Sequence, residues 1–384
     1  MDEAHVEAVI LDLDGTLLDT ERSTDGVLKE FLARYGKVLD PEKEVKRLGK
    51  MHCESAAAIV IDYNLPLTAE EFSEKIIPMY QERWPQVKPL PGANRLIKHL
   101  RKHGIPLALA SNSVRKNVQK KISYQQGWKE SFSVILGGDE VNHGKPSPDI
   151  YLESAKMMGV DPSRCLVIED SSVGIEAAKA AGMKVVAIPS IPFRGDDFGA
   201  ANCVLYSLLE FLPDQWGLPA FQDWVQSTLP IEPFYVSGVL RDGDPHGTPI
   251  LMEHLPEENQ TAPLPIQTSG VFFGWAKLGT RGAFKVVASI QWDISPAGAR
   301  KLIRPHVLAE ISSDTAGEKL RLLFVGFIRK LHRERRAKEG SSTTSAVSEE
   351  DKSVAAAALD LPAFADHKGN PFLADPSNPL KAYS

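Results

Sequence analysis

Five short apolar runs, Ala8 to Leu13, Pro106 to Ser111, Val134 to Gly137, Cys165 to Ile168 and Lys184 to Ile188, each give way to polar or glycine residues. Stretches of helical period separate most of them. Strands buried on both faces read as nearly continuous apolar runs, so this alternation predicts a parallel sheet covered by helices. The first run is the most constraining. In VILDLDGTLLDT, Val9 to Thr20, a strand ends on Asp12 and Asp14, and Gly15-Thr16 then turn the chain. Two carboxylates crowded at the end of a buried strand repel each other and call for a cation.

Three more polar units follow in order: Ser111-Asn112 after LALA, Lys145-Pro146 in GKPSPDIY, and Glu169-Asp170 after CLVI. Open α/β sheets bind ligands beyond the carboxyl ends of their strands. Helix capping or turn formation accounts for one aspartate pair but poorly for four such units. Their chemistry suits phosphoryl transfer from a phosphate monoester. A hard cation such as Mg²⁺ takes oxygen ligands, which Asp12 and Asp170 supply. Asp12 can then attack phosphorus, forming an aspartyl-phosphate. Asp14, too close to be an equal side-chain ligand, is left as general acid and base. Lys145 and the Ser111 hydroxyl would hold the transferring oxygens.

The set D-x-D-G-T, S-N, K-P and E-D resembles the haloacid dehalogenase-like superfamily. The resemblance implies a Rossmann-like core with Mg²⁺ held by Asp12, Asp14, Asp170 and Glu169, and phosphate held by Ser111, Asn112 and Lys145. Asp14 argues for a phosphatase or phosphomutase, since a dehalogenase lacks that aspartate and a transport ATPase carries threonine there. Between residues 19 and 87 the period is helical, with no clear strand. By resemblance this insertion is a helical cap, and LGKMHCES, with Gly49, Lys50 and His52, is its substrate loop. Lys50 is the substrate contact expected there; His52 reads better as a surface loop histidine.

Around residue 220 the texture changes. WGLPAFQDWVQSTLPIEP leads into β-branched and aromatic segments at Tyr235 to Leu240, Ser269 to Ala276, Phe284 to Trp292 and Leu320 to Ile328. They predict a second, mainly antiparallel β domain. The expected domains are 1–220 and 221–384. The basic run RKLHRERRAK, Arg329 to Lys338, reads as a solvated helix surface, and GSSTTSAVSEED, Gly340 to Asp351, as a low-complexity linker.

Further stretches, among them LPGANRLIKHL, KISYQQGWKESFSVI and SGVFFGWAKLGTRGAFKVVASIQW, resemble the plant-type family that joins an FMN phosphatase to a riboflavin kinase. The resemblance implies FMN as substrate and a riboflavin-kinase-like β-barrel with a closing helix. Other flavin-pathway phosphates or sugar phosphates are the alternative substrates. The kinase half departs from that family. Where the family carries threonine and asparagine for Mg²⁺ and nucleotide phosphates, this chain has Ile250 and Met252, which cannot ligate a hard cation. Where the family has its catalytic glutamate, this chain has Arg304, whose guanidinium cannot accept a proton. Impaired kinase activity is expected; a fully bifunctional enzyme is the alternative. Phe272, Phe273 and Trp275 read as core, or as an apolar flavin pocket.

A net charge of −6 gives no reason to expect nucleic acid or an anionic membrane as partner. Three widely spaced cysteines suggest neither a disulfide framework nor a zinc site, and no apolar run is long enough to span a bilayer. A cytoplasmic enzyme of small molecules is the expectation. Oligomeric state is not legible in the sequence.

Overall fold

In the computed structural model the described residues are 5–24, 26–40, 43, 52–190, 198–239, 252–253, 264–265, 267–295, 298–309, 318–331 and 347–374. Contacts divide the chain into two compact units, Met1–Ala220 and Phe221–Ser384.

The first unit is built on β1 (Ala8–Leu11), β2 (Leu107–Ser111), β3 (Val134–Gly137), β4 (Cys165–Glu169), β5 (Lys184–Ala187) and β6 (Cys203–Val204). Their spatial order is β3-β2-β1-β4-β5-β6, all parallel. Every residue of β1, β2 and β4 is buried, which explains their unbroken apolar sequences. The chain leaves β1 toward β2 and β3, then returns to place β4 on the other side of β1. This reversal opens a crevice at the carboxyl ends of β1 and β4.

Among the described residues, α1 (Thr20–Ser23), α2 (Val27–Ala33), α3 (His52–Asp62) and α4 (Ala69–Arg83) follow β1. They form the helical insertion. Val27, Leu28, Phe31, Leu32, Ile59, Phe72 and Ile76 are its buried core, with Phe31 edge-on to Phe72 at 5.0 Å between centroids. A capping box, Thr68 with Glu71, starts α4. The chain re-enters the core through α5 (Ala93–Lys102). Helices α6 (Arg115–Ile122), α7 (Asp149–Met158) and α8 (Ser172–Ala180) complete the unit. No helix among the described residues is long and apolar enough to cross a membrane.

The second unit is a six-stranded antiparallel sheet: β7 (Leu229–Val239), β8 (Met252–Glu253), β9 (Gly270–Leu278), β10 (Ala283–Ser295), β11 (Gly298–Val307) and β12 (Lys319–Arg329), in the order β7-β12-β9-β10-β11-β8. The end strands β7 and β8 touch, so the sheet curls on itself. One face carries Phe272, packed against Phe234, Phe324 and Phe327. The other carries Phe273 and Trp275, covered by α9 (Glu349–Ala358), α10 (Pro362–Ala365) and α11 (Pro371–Ala374). Trp275 Nε1 donates to Phe364 O at 2.9 Å. All three aromatics are core.

Three expectations need correction here. Strand β7 starts at Leu229, not Tyr235, although it contains Pro230 and Pro233; an end strand tolerates residues that donate no ladder bond. Strand β11 was not anticipated, because Lys301, Arg304 and Pro305 break its apolar pattern; it is held by its long pairing with β10. Arg329 ends a strand instead of lying on a solvated helix. Its guanidinium grips Asp351 at 2.9 and 2.7 Å, and Asp351 with Ser348 forms the capping box of α9. The end of the supposed linker is therefore helical.

Candidate active site

Each chemistry-bearing residue stands at the carboxyl end of a strand or in the loop beyond it. Asp12 continues β1, its N–H bonded to Ile168 O of β4 at 3.1 Å. Glu169 closes β4 and Asp170 follows. Asp12, Glu169 and Asp170 are all buried, and one carboxylate oxygen from each lies within 4.8 Å of the others. Close packing makes this possible. Gly15 has φ +84°, and a Cβ there would come within 2.3 Å of Asp170 Oδ2. A Cβ on Gly174 would meet Glu169 Oε1 at 1.7 Å. The hydroxyl of Thr16 donates to Asp170 Oδ1 at 3.1 Å.

Lys145 enters this cluster from the loop before α7. Its ammonium donates to Asp12 Oδ1 at 2.6 Å, Glu169 Oε1 at 2.6 Å and Ala110 O at 3.0 Å. The Tyr151 hydroxyl donates to Glu169 Oε1 at 2.9 Å, while Glu169 Oε2 accepts from Asp170 N, Ser171 N and the Ser171 hydroxyl. Three carboxylates thus cluster here, and one ammonium pairs with two of them. Burial, with Glu169 adding and Lys145 opposing, pushes the Asp12 carboxyl up to about 7. Burial and the neighbouring carboxylates of Glu169 and Asp12 hold Asp170 well above the usual range. Burial acts the same way on Glu169, but Lys145 outweighs it and lowers that group. Lys145 itself is held above the ordinary lysine range by Asp12 and Glu169, against burial. The excess of negative charge and the all-oxygen donor set fit a divalent hard cation.

Asp14 lies apart from the three-carboxylate cluster. Its two oxygens accept from Lys121 Nζ at 2.6 and 2.7 Å, and Oδ2 also accepts from Ser113 Oγ at 3.0 Å and Ser111 Oγ at 3.4 Å. Burial would raise this carboxyl, but Lys121 and the hydrogen bonds from Ser113 and Thr20 hold it below the usual range. The Ser111 hydroxyl faces Asp14 and accepts from Ser113 N at 3.1 Å. Asn112 bonds the backbone of Lys145, accepting from its N–H at 3.0 Å and donating to its C=O at 3.3 Å. It fastens the loop that carries the lysine.

Lys121 and Tyr151 were not anticipated. Lys121 sits in KNVQKKI among other cations, but Val118 and Ile122 mark the buried stripe of α6, and Asn117 and Lys121 flank it as a second buried pair four residues apart. That spacing was the available signal. Gly49 and Lys50 lie outside the described residues, as does Ile250. Met252 pairs in register with Ile303, the residue before Arg304, so these two positions are near neighbours across the β8–β11 ladder.

Comparison with known proteins agrees with both units. Residues 6–182 match the haloacid dehalogenase-like hydrolase family and residues 231–338 match riboflavin kinase. The chain is 46% identical to a bifunctional riboflavin kinase/FMN phosphatase of Arabidopsis thaliana, over 95% of this chain and 96% of that protein. It belongs to that two-domain family. The first unit is accordingly a phosphoric monoester hydrolase of haloacid dehalogenase-like type. It is also 37% identical to (DL)-glycerol-3-phosphatase 2 of A. thaliana, over 56% of this chain and 92% of that protein. A crystal structure of a haloacid dehalogenase hydrolase, family IA, variant 3, from Entamoeba histolytica superposes with TM-score 0.50 at 27% identity, covering 55% of this chain and 98% of that one.

Proposed function

We propose that the first unit hydrolyses FMN to riboflavin and phosphate through an aspartyl-phosphate on Asp12, with Mg²⁺ held by Asp12, Glu169 and Asp170. The observation that carries this reading is the buried triad of carboxylates at the sheet's switch point, two of which, Asp12 and Glu169, hold the Lys145 ammonium. Bound Mg²⁺ would offset the carboxylate charge and the charge that develops on the phosphate oxygens. Asp12 supplies the attacking oxygen: its bond to phosphorus forms as the bond to the ribityl oxygen breaks. Lys145, already seated on Asp12, orients that oxygen and neutralises charge beside it. Asp14 gives a proton to the departing alkoxide and later takes one from the hydrolytic water. Lys121 keeps Asp14 ionised at rest; a dianionic ester brought alongside raises its affinity for the proton it must deliver.

The choice of FMN rests on the full-length relative, and its strongest competitor on the glycerol-3-phosphatase. Phosphate release from FMN and from glycerol phosphate, measured with and without EDTA, tests both points. FMN should be turned over at least about tenfold faster in kcat/KM, a discrimination of about 1.4 kcal/mol. EDTA should remove the activity and excess Mg²⁺ restore it. Equal turnover of the two esters would refute an FMN-selective cap, and activity in EDTA would refute the metal.

The second unit, in this reading, has no kinase activity. Arg304 is half-buried in the barrel strand β11, and a guanidinium offers donors but no acceptor for the riboflavin hydroxyl's proton. Purified protein given riboflavin, ATP and Mg²⁺ should form no FMN above background. ATP-dependent FMN formation that disappears on deleting residues 230–384 would establish the bifunctional alternative.

A further inference from the structure

We propose that Lys121 is a positioning residue for proton transfer: seated against the Trp84 ring, its ammonium holds both oxygens of Asp14 in the orientation from which the leaving group is protonated. The inference rests on the acid role given to Asp14 above, and it adds a residue outside the four sequence motifs.

Lys121 is 7% exposed, on a helix whose neighbouring lysines 116 and 120 face solvent. A buried ammonium needs compensating partners, and this one has three: the two Asp14 oxygens and the Ser113 hydroxyl at 3.2 Å. Its Nζ also lies 5.4 Å from the centroid of Trp84, within cation–π range. Trp84 is itself buried and follows α4 directly, at the end of the helical insertion. Lys121 therefore touches the proton-transfer carboxylate on one side and the exit of the insertion on the other. Beyond α6, Gln125 Nε2 donates to Val87 O at 3.0 Å and ties the same segment to the insertion's return. Asp14 is a quarter exposed, so without the clamp its side chain has room to leave the site.

The step served is the first half-reaction. The Asp12 oxygen bonds phosphorus, the bond from phosphorus to the leaving oxygen breaks, and the Asp14 proton goes to that oxygen to give the alcohol. A leaving group as acidic as p-nitrophenol departs without that proton; an alkyl alcohol does not. The test compares kcat/KM, which reports steps up to the first product release, for p-nitrophenyl phosphate and FMN. Asp14→Asn, Lys121→Met and Lys121→Arg are measured beside the parent.

Lys121→Met should lower kcat/KM for FMN by about 10- to 100-fold and for p-nitrophenyl phosphate by less than about threefold, with Lys121→Arg recovering part of the loss. An equal fall on both esters, or no fall on either, would overturn the positioning role. Asp14→Asn separates the two layers. If it too spares the aryl ester and cripples FMN, the acid is rightly assigned and only Lys121 is on trial; if it does not, the acid assignment fails and takes the inference with it. Should Lys121→Met fail to fold, Lys121→Gln serves, read against its melting temperature.

Discussion

Asp12→Asn is expected to abolish phosphate release while leaving the fold intact. The carboxamide has the shape of the carboxylate but no anionic oxygen to attack phosphorus. Loss of the nucleophile in a two-step covalent mechanism costs on the order of 10⁴- to 10⁶-fold in kcat. The effect on stability runs the other way. Burial raises the Asp12 carboxyl to about 7, so near neutral pH its charge is only marginally favoured in the folded state. Lys145 keeps Glu169 and Ala110 O as partners after the change. The melting temperature should therefore shift by no more than a few degrees, whereas phosphate release from FMN falls to background. A rate within tenfold of the parent would mean that another group attacks phosphorus.

The parts of this molecule that could be read from sequence are those where one physical demand dominates. Strands β1 to β5 are buried on both faces, so hydrophobicity alone marks them, and the ends found differ from expectation by one or two residues at most. β6 is two half-buried residues and leaves no such trace. In the second unit the apolar runs of β9, β10 and β12 were legible, while β11 was hidden because its sequence is polar and its stability comes from a partner far along the chain. Pairing partners are not a local property of sequence.

The site divides in the same way. Asp12, Lys145, Glu169 and Asp170 were legible because apolar runs deliver each of them, directly or through a short loop, to one edge. Their second neighbours were not. Asn112 was read as a phosphate ligand because it follows Ser111 at a strand end, and nothing local announced that its amide bonds the Lys145 backbone. Tyr151 is a buried aromatic that drew no notice, yet its hydroxyl is aimed at Glu169. Lys121 was one lysine among several on a basic helix. In each case the residue type was plain and its direction was not. Direction is set by packing between elements that are remote in sequence.

That dependence on remote partners sets the expectation for Lys145. Lys145→Met keeps most of the stem and removes the ammonium, whose Nζ lies 5.1 Å from the Tyr151 ring centroid. Losing one preorganised cation beside the transferring phosphate should cost about 10²- to 10³-fold in kcat, or about 3 to 4 kcal/mol. The same deletion leaves Asp12 and Glu169 without their buried counter-charge, a change that typically costs about 3 to 5 kcal/mol of stability. Part of that cost is relieved when a carboxyl takes up a proton, and more when a divalent cation binds the three acids. The loss of melting temperature should accordingly be larger in EDTA than in millimolar Mg²⁺, while the loss of activity persists in both. Thermal unfolding of parent and variant under the two conditions checks this directly. A variant as stable as the parent in EDTA would mean that the ammonium is not what holds these acids together, and a melting temperature indifferent to Mg²⁺ would remove the cation from the account.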